Sequence, residues 1–136
     1  MSLLAVLVLL AGCSASSSAP WNGLTKIGLV APFEGQDTAR AYAFLHGMKM
    51  AVGEANQRGG IGGRRVELVA LDDQNDGPVG GYQARELVAD PLVVAAVGHY
   101  SDASALAAVE VYRQAGMAFL SPAASDALEG PGFFRL

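Results

Sequence analysis

The chain reads as an α/β protein, a doubly wound parallel sheet, on three observations. From Lys26 onward, short β-branched or aliphatic runs alternate with longer segments of helical period. The run Leu92–Val97 is apolar throughout, as in strands covered on both faces. Over 136 residues the composition is 51% hydrophobic and 16% charged, which suits one compact globular unit. Strand and helix alternating at this spacing imply right-handed crossovers, and such sheets take ligands beyond the carboxyl ends of their strands, where the strand order reverses.

Residues 1–12 carry no charge and include the apolar run Leu3–Ala11. That is shorter than the about 20 residues that span a bilayer and fits the roughly 7–15 of a secretory signal's apolar region. Leu10-Ala11-Gly12-Cys13 resembles a bacterial lipobox, in which the thiol is lipidated and Cys13 becomes the first mature residue; the competing reading is a buried free thiol. Met1-Ser2 lacks the Lys or Arg usual in a secretory signal, which sets the expected start upstream. The Ser-rich stretch up to Pro20 reads as a tether.

Lys26–Ala31 is the first expected strand, closed by Pro32. Between Thr38 and Gln57, Tyr42, Leu45, Met48, Ala51, Val52 and Ala55 recur at three- and four-residue steps, the stripe of an amphipathic helix, with Asp37 or Thr38 as its cap. Gly59–Gly63 turns the chain into a strand over Val66–Leu71. A second helix follows over Val79–Ala89, halted before Pro91, then the strand Leu92–Val97 and a third helix over Ser101–Ala115. Met117–Leu120 is a fourth strand and Phe133–Arg135 begins a fifth. Three loops should therefore line the ligand edge: Pro32 to Thr38, Gly98 to Asp102, and Ser121 to Asp126.

Several chemistries drop out. A net charge of −4 offers no basic field for a phosphate backbone, so nucleic acid is not an expected partner. One Cys and two distant His residues, His46 and His99, exclude an intramolecular disulfide and make a metal centre implausible. Gly59–Gly63 follows a helix and precedes a strand, the reverse of a dinucleotide fingerprint. Asp72-Asp73 are expected to hold loop N–H groups, in preference to acid–base work or magnesium. His99, Tyr100, Ser101 and Asp102, adjacent at one strand end, cannot converge as a hydrolytic triad. What remains is a set of small hydroxyls, aromatics and backbone groups, an inventory for holding a small polar solute without chemistry or cofactor.

The motifs Lys26-Ile27-Gly28-Leu29, Pro32-Phe33-Glu34-Gly35, Ala55-Asn56, Gly59-Gly60-Ile61-Gly62-Gly63-Arg64 and Asp72-Asp73-Gln74 are followed by Val97-Gly98-His99, Ala115-Gly116, Leu120-Ser121-Pro122-Ala123 and Phe133-Phe134-Arg135. In this order they resemble the branched-chain amino acid-binding type of periplasmic ABC-transporter substrate-binding protein, with the periplasmic binding protein type I fold. The resemblance implies a two-lobed clamshell that closes on an amino acid-like solute and presents it to an ABC permease, outside the cytoplasm and here held to the membrane through Cys13. The expected division is a signal peptide at 1–12, a lipidated tether at 13–24 and a truncated N-terminal lobe at 25–136. A signalling receptor's ectodomain of the same clamshell is the rival; the lipobox opposes it.

Carried over residue by residue, the resemblance implies a ligand site at Phe33, Arg40, Tyr100, Ser101, Asp102, Ala123 and Ser125. The family's Gly-His-x-x-Ser pattern puts a carboxylate-binding serine where this chain has Asp102, with Ser101 and Ser104 as substitutes only if the loop shifts. The Ala123 backbone and the Ser125 hydroxyl would hold the amine and carboxylate of an amino acid. Arg40 stands where relatives often have an aromatic. It either pairs with Asp102 across the cleft, or the two read opposite ends of a ligand, or both are solvated rim residues.

Overall fold

The structure is a computed structural model that describes residues 23–136, so the signal, tether and Cys13 readings lie outside the described residues. Its strands are β1 (Leu24–Ala31), β2 (Arg65–Asp72), β3 (Val93–Gly98), β4 (Ala118–Ser121) and β5 (Phe133–Arg135). Its helices are α1 (Thr38–Gln57), α2 (Gly77–Ala89) and α3 (Asp102–Ala115), with a short 3₁₀ turn at Asp126–Leu128 that the sequence pattern did not indicate. The sheet order is β2-β1-β3-β4-β5 and every pair is parallel. The doubly wound α/β expectation holds, and the strand order reverses at β1.

The two faces of the sheet are covered unequally. Val30, Ala96 and Phe119 join Ala84 and Leu87 of α2 and Ala105, Ala108, Val109 and Tyr112 of α3 in one buried core. Helices α2 and α3 approach closely because small residues meet: a Cβ at Gly80 would run into the Ser104 side chain. On the opposite face α1 packs mainly along β2. An open apolar groove of about 360 Å³ remains there, lined by Ile27, Phe44, Met48, Val97, Leu120 and Phe134.

Two expectations are corrected by this packing. Strand β3 is covered on both faces only over its later part, where Ala96 and Val97 are both buried; at its start the register against β1 shifts after Lys26, so Val94 is an extra residue in a bulge and is 51% exposed. Val93 and Ala96, an odd number of positions apart, consequently both face the core. On α1 only Ala41 and Leu45 are buried, and Tyr42 and Ala51 stand exposed, because the helix lies over the sheet's margin. Neither expected cap of α1 works through its side chain. The Asp37 backbone carbonyl accepts from Arg40 and Ala41, while Thr38 Oγ1 donates to the Gly35 carbonyl at 2.6 Å.

Local chemistry fixes the other ends. Asp76 accepts from the Val79 N–H to start α2, with Pro78 in its first turn. Ser101 accepts from Ser104 N–H to start α3, which Gly116 ends in the left-handed conformation. At the far end of α1, Asn56 both donates to the Val66 carbonyl and accepts from the Val66 N–H, each at 2.8 Å, filling the open side of edge strand β2. Between them Gly59–Gly63 forms the expected turn, in which Ile61 and Arg64 exchange backbone hydrogen bonds.

At Gly98 the backbone passes the Val30 carbonyl with φ +122, and a Cβ there would collide with that carbonyl oxygen. Gly98→Ala is expected to destabilise the fold by about 3 kcal/mol or more, combining strain with the displacement of β1 from β3. Urea denaturation checks this; a loss within experimental error of zero would contradict it.

Candidate functional site

The carboxyl ends of β1, β3 and β4 bring the three expected loops to one edge of the molecule. The loop after β1 is tied to the loop after β2. Asp72 Oδ1 accepts from Phe33 N–H at 3.0 Å and Gln74 N–H at 2.9 Å, and Asp37 Oδ2 accepts from Asn75 Nδ2 at 2.7 Å. Asp72-Asp73 therefore hold loop N–H groups as their sequence suggested, Asp73 doing so for Asn75. Phe33 is half-buried and sets its ring edge-on to Tyr42, with centroids 5.4 Å apart. Tyr100 does the same against Phe44 at 5.6 Å. Burial pushes the Tyr100 phenol up, and the Arg40 charge opposes it from the first turns of α1.

The loop after β4 closes on α3 through Asp102. Its Oδ1 accepts from Ala124 N–H at 2.9 Å and Ser125 N–H at 3.0 Å. Beneath it the Ser121 hydroxyl donates to the His99 carbonyl at 3.1 Å and accepts from Ala123 N–H at 3.1 Å. Ala123 is buried and its N–H is turned inward, which leaves only its carbonyl for a ligand amine. The Ser125 hydroxyl oxygen accepts from Ala127 N–H at 3.3 Å, and its O–H is left to donate.

The structure does not form the Arg40–Asp102 pair. Arg40 lies 3.9 Å from Asp37, its neighbour one helical turn back, while Asp102 holds the β4 loop. Nor does either alternative serine present a free hydroxyl. Ser101 donates to the Asn75 carbonyl and accepts from Ser104 N–H, and Ser104 is fully buried.

Sequence reasoning missed the group that holds these loops in place. Ser104 Oγ donates to Asp73 Oδ2 at 2.5 Å, His99 Nδ1 lies 2.7 Å from Ser104 Oγ, and His99 Nε2 lies 2.9 Å from the Tyr112 hydroxyl. Asp73, His99 and Ser104 have no exposed surface, and Tyr112 is 1% exposed. An ionised Asp73 only accepts, so Ser104 donates to it and accepts from His99 Nδ1–H, which leaves Nε2 to accept from Tyr112. Burial pushes the His99 imidazole below its ordinary value against the pull of Asp73, so the ring is neutral at pH 7. Burial pushes the Asp73 carboxyl up, but the hydrogen bonds from His99, Ser104 and Asn75 together hold it below its ordinary value. Burial also keeps Tyr112 protonated. Serine and aspartate share one ring nitrogen here and no solvent reaches them, so the cluster has no nucleophile to offer.

His99 carries φ +54, and Gln74 and Asn75 carry φ +53 and +55. These non-glycine residues in the left-handed region sit where β3 and β2 release the chain, and the cluster around Asp73 is what over-determines them. A Ser104–Tyr112 separation of eight residues, one face of α3, was the available signal.

A family model described as Periplasmic binding protein matches residues 25–136. The chain is 30% identical over 100 residues to an amino acid binding protein of Pseudomonas aeruginosa, covering 74% of this chain and 27% of that one. It superimposes with TM-score 0.72 on an ABC transporter substrate-binding protein from Desulfitobacterium hafniense in complex with Leu, at 32% identity, covering 82% of this chain and 33% of that one. A branched-chain amino acid transporter substrate-binding protein from Streptococcus pneumoniae in complex with isoleucine gives TM-score 0.70 and 32% identity, covering 77% of this chain and 30% of the other. The chain thus spans about a third or less of the length of these relatives.

The buried cluster sets a pH dependence. Because the folded pKa of His99 is depressed below the ordinary 6.5, the unfolded chain binds more protons as pH falls through that value. Its contribution is complete above pH 6.5 and is lost on acidification, and Asp73 adds a second loss below its ordinary 3.8. Urea denaturation is expected to show stability falling from pH 7 to pH 5, with that limb reduced in His99→Gln. Tyr112→Phe, which leaves the buried Nε2 without a donor, should cost about 1–3 kcal/mol at pH 7.

Proposed function

The chain belongs to the periplasmic binding protein family, and on that premise we propose that it is the N-terminal lobe of an extracytoplasmic solute-binding lipoprotein. The protein captures a small polar solute, an amino acid or a related compound, and delivers it to an ABC importer in the membrane. The observation that carries this reading is the convergence of three loops at one sheet edge, where β1 and β3 send their chains to opposite faces and leave a crevice. On this reading Phe33, Arg40, Tyr100, Ser101, Asp102, the Ala123 carbonyl and the Ser125 hydroxyl, carried by those loops and the helix starts that follow them, contact the solute.

Two further features support the reading. The relatives are named as amino acid-binding or substrate-binding proteins, and the Ser-His-Asp cluster beneath this edge is fully buried and offers no nucleophile. The apolar groove beside α1, with Phe134 and Leu136 on its border, is surface that additional chain of a two-lobed protein would cover. A solute touching both lobes would favour the closed form by its differential affinity, shifting an equilibrium that exists without it. Cys13 supplies the anchor, the lipobox Leu10-Ala11-Gly12-Cys13 being its support.

Thermal unfolding of the full-length protein with a panel of amino acids and their amides is the direct test. A solute at about 100 times its Kd stabilises by about 2.7 kcal/mol, a shift of several degrees; no shift with any of the panel overturns the reading. Residues 25–136 alone should bind the same solute at least 100-fold more weakly. For the anchor, incorporation of labelled palmitate in cells is expected for the natural chain and should vanish in Cys13→Ser.

A further inference from the structure

The corner between α3 and the β4 loop is built to receive an anion. Consecutive N–H groups, those of Ala124 and Ser125, converge on one point, and that point lies beside the positive end of α3. In this chain the anion is resident: Asp102 Oδ1 accepts both N–H groups from the first turn of α3. Asp102 is solvent-exposed, and among the described residues its Oδ2 makes no hydrogen bond. The corner therefore presents a charged acceptor to whatever enters the crevice.

The cations near this edge do not reverse that. Arg40 lies against Asp37, and Arg135 lies 3.4 Å from Asp126 while donating to the Ser125 carbonyl at 3.0 Å. The neighbouring Ser101 hydroxyl is already engaged on both sides. A solute carboxylate arriving here would find the Ala124 and Ser125 N–H groups taken and a like charge facing it, with the Ser125 hydroxyl alone left to donate at this corner, whereas an N–H group would find an acceptor.

We infer that Asp102 is a specificity-determining residue that turns this corner against free carboxylates, so that the solute presents a hydrogen-bond donor here, a carboxamide or an amine. The inference rests on the solute-binding reading above and narrows its ligand class. The acceptor it supplies and the carboxylate it rejects are two consequences of the same pair of hydrogen bonds.

Calorimetry on the full-length protein tests it with matched pairs that differ only at the group in question: leucine and leucinamide, alanine and alaninamide, phenylalanine and phenylalaninamide. The natural chain should bind at least one amide tenfold or more tighter than its free acid. Asp102→Ser should reverse that preference, and Asp102→Asn, which keeps an acceptor for Ala124 and Ser125 without the charge, should fall between. Unchanged far-UV circular dichroism and melting show that the variants fold. Equal or tighter binding of the free acids by the natural chain overturns the inference, as does an amide-to-acid ratio that Asp102→Ser leaves within twofold, and solute binding itself then stands. If none of the six compounds binds the natural chain or either variant, the amino acid-like ligand class fails and the inference falls with it.

Discussion

The carboxyl edge of this sheet depends on a carboxylate that never meets water. Asp73, fully buried at the end of β2, is held by Ser104 of α3, which is held by His99 at the end of β3, which is held by Tyr112 two turns further along α3. Three separate segments are thereby fixed to one another by buried polar groups that no solvent reaches. An unpaired member would carry the full desolvation cost of its polar atoms, so the arrangement is close to all-or-none. The left-handed residues at 74, 75 and 99 are the local cost of delivering the chain to those positions.

The loops at the carboxyl edge are a second layer resting on this one. Ser121 reaches back to the His99 carbonyl, Asn75 reaches to Asp37, and Ser101 to the Asn75 carbonyl. Movement of His99 would reach the β4 loop directly through Ser121, and the β1 loop at Asp37 by way of Ser104, Asp73 and Asn75. The loops at this edge are thus tied to one another through the buried cluster.

Much of the architecture was legible in the chain because its signals are local. The period of Thr38–Gln57, the turn at Gly59–Gly63 and the helix start at Ser101 depend on neighbours within a few residues, and the strand ends fell within two residues of the expected ones. What escaped depends on partners far apart in sequence. The bulge at Val94 comes from the register against β1, and the exposure of Tyr42 from where α1 sits over the sheet. Likewise the sequence sets His99 beside Ser101 and Asp102, its neighbours, whereas its side-chain partners are Asp73, Ser104 and Tyr112. Asp102 was recognised as a departure from the family pattern, yet its bonds to Ala124 and Ser125 span more than 20 residues and only the fold reveals them.

The paired bonds between the Asn56 side chain and the backbone of Val66 have a bearing on how the sheet finds its alignment. An amide side chain offers one donor and one acceptor at fixed separation, and only a strand residue whose N–H and carbonyl point outward together can satisfy both. Sliding β2 by a single position would aim the outward groups of a different residue at Asn56 and send Val66 to the wrong face. The asparagine thus works as an indexing pin. It also denies β2's exposed margin to a stray strand from a neighbouring molecule at the point where the sheet begins.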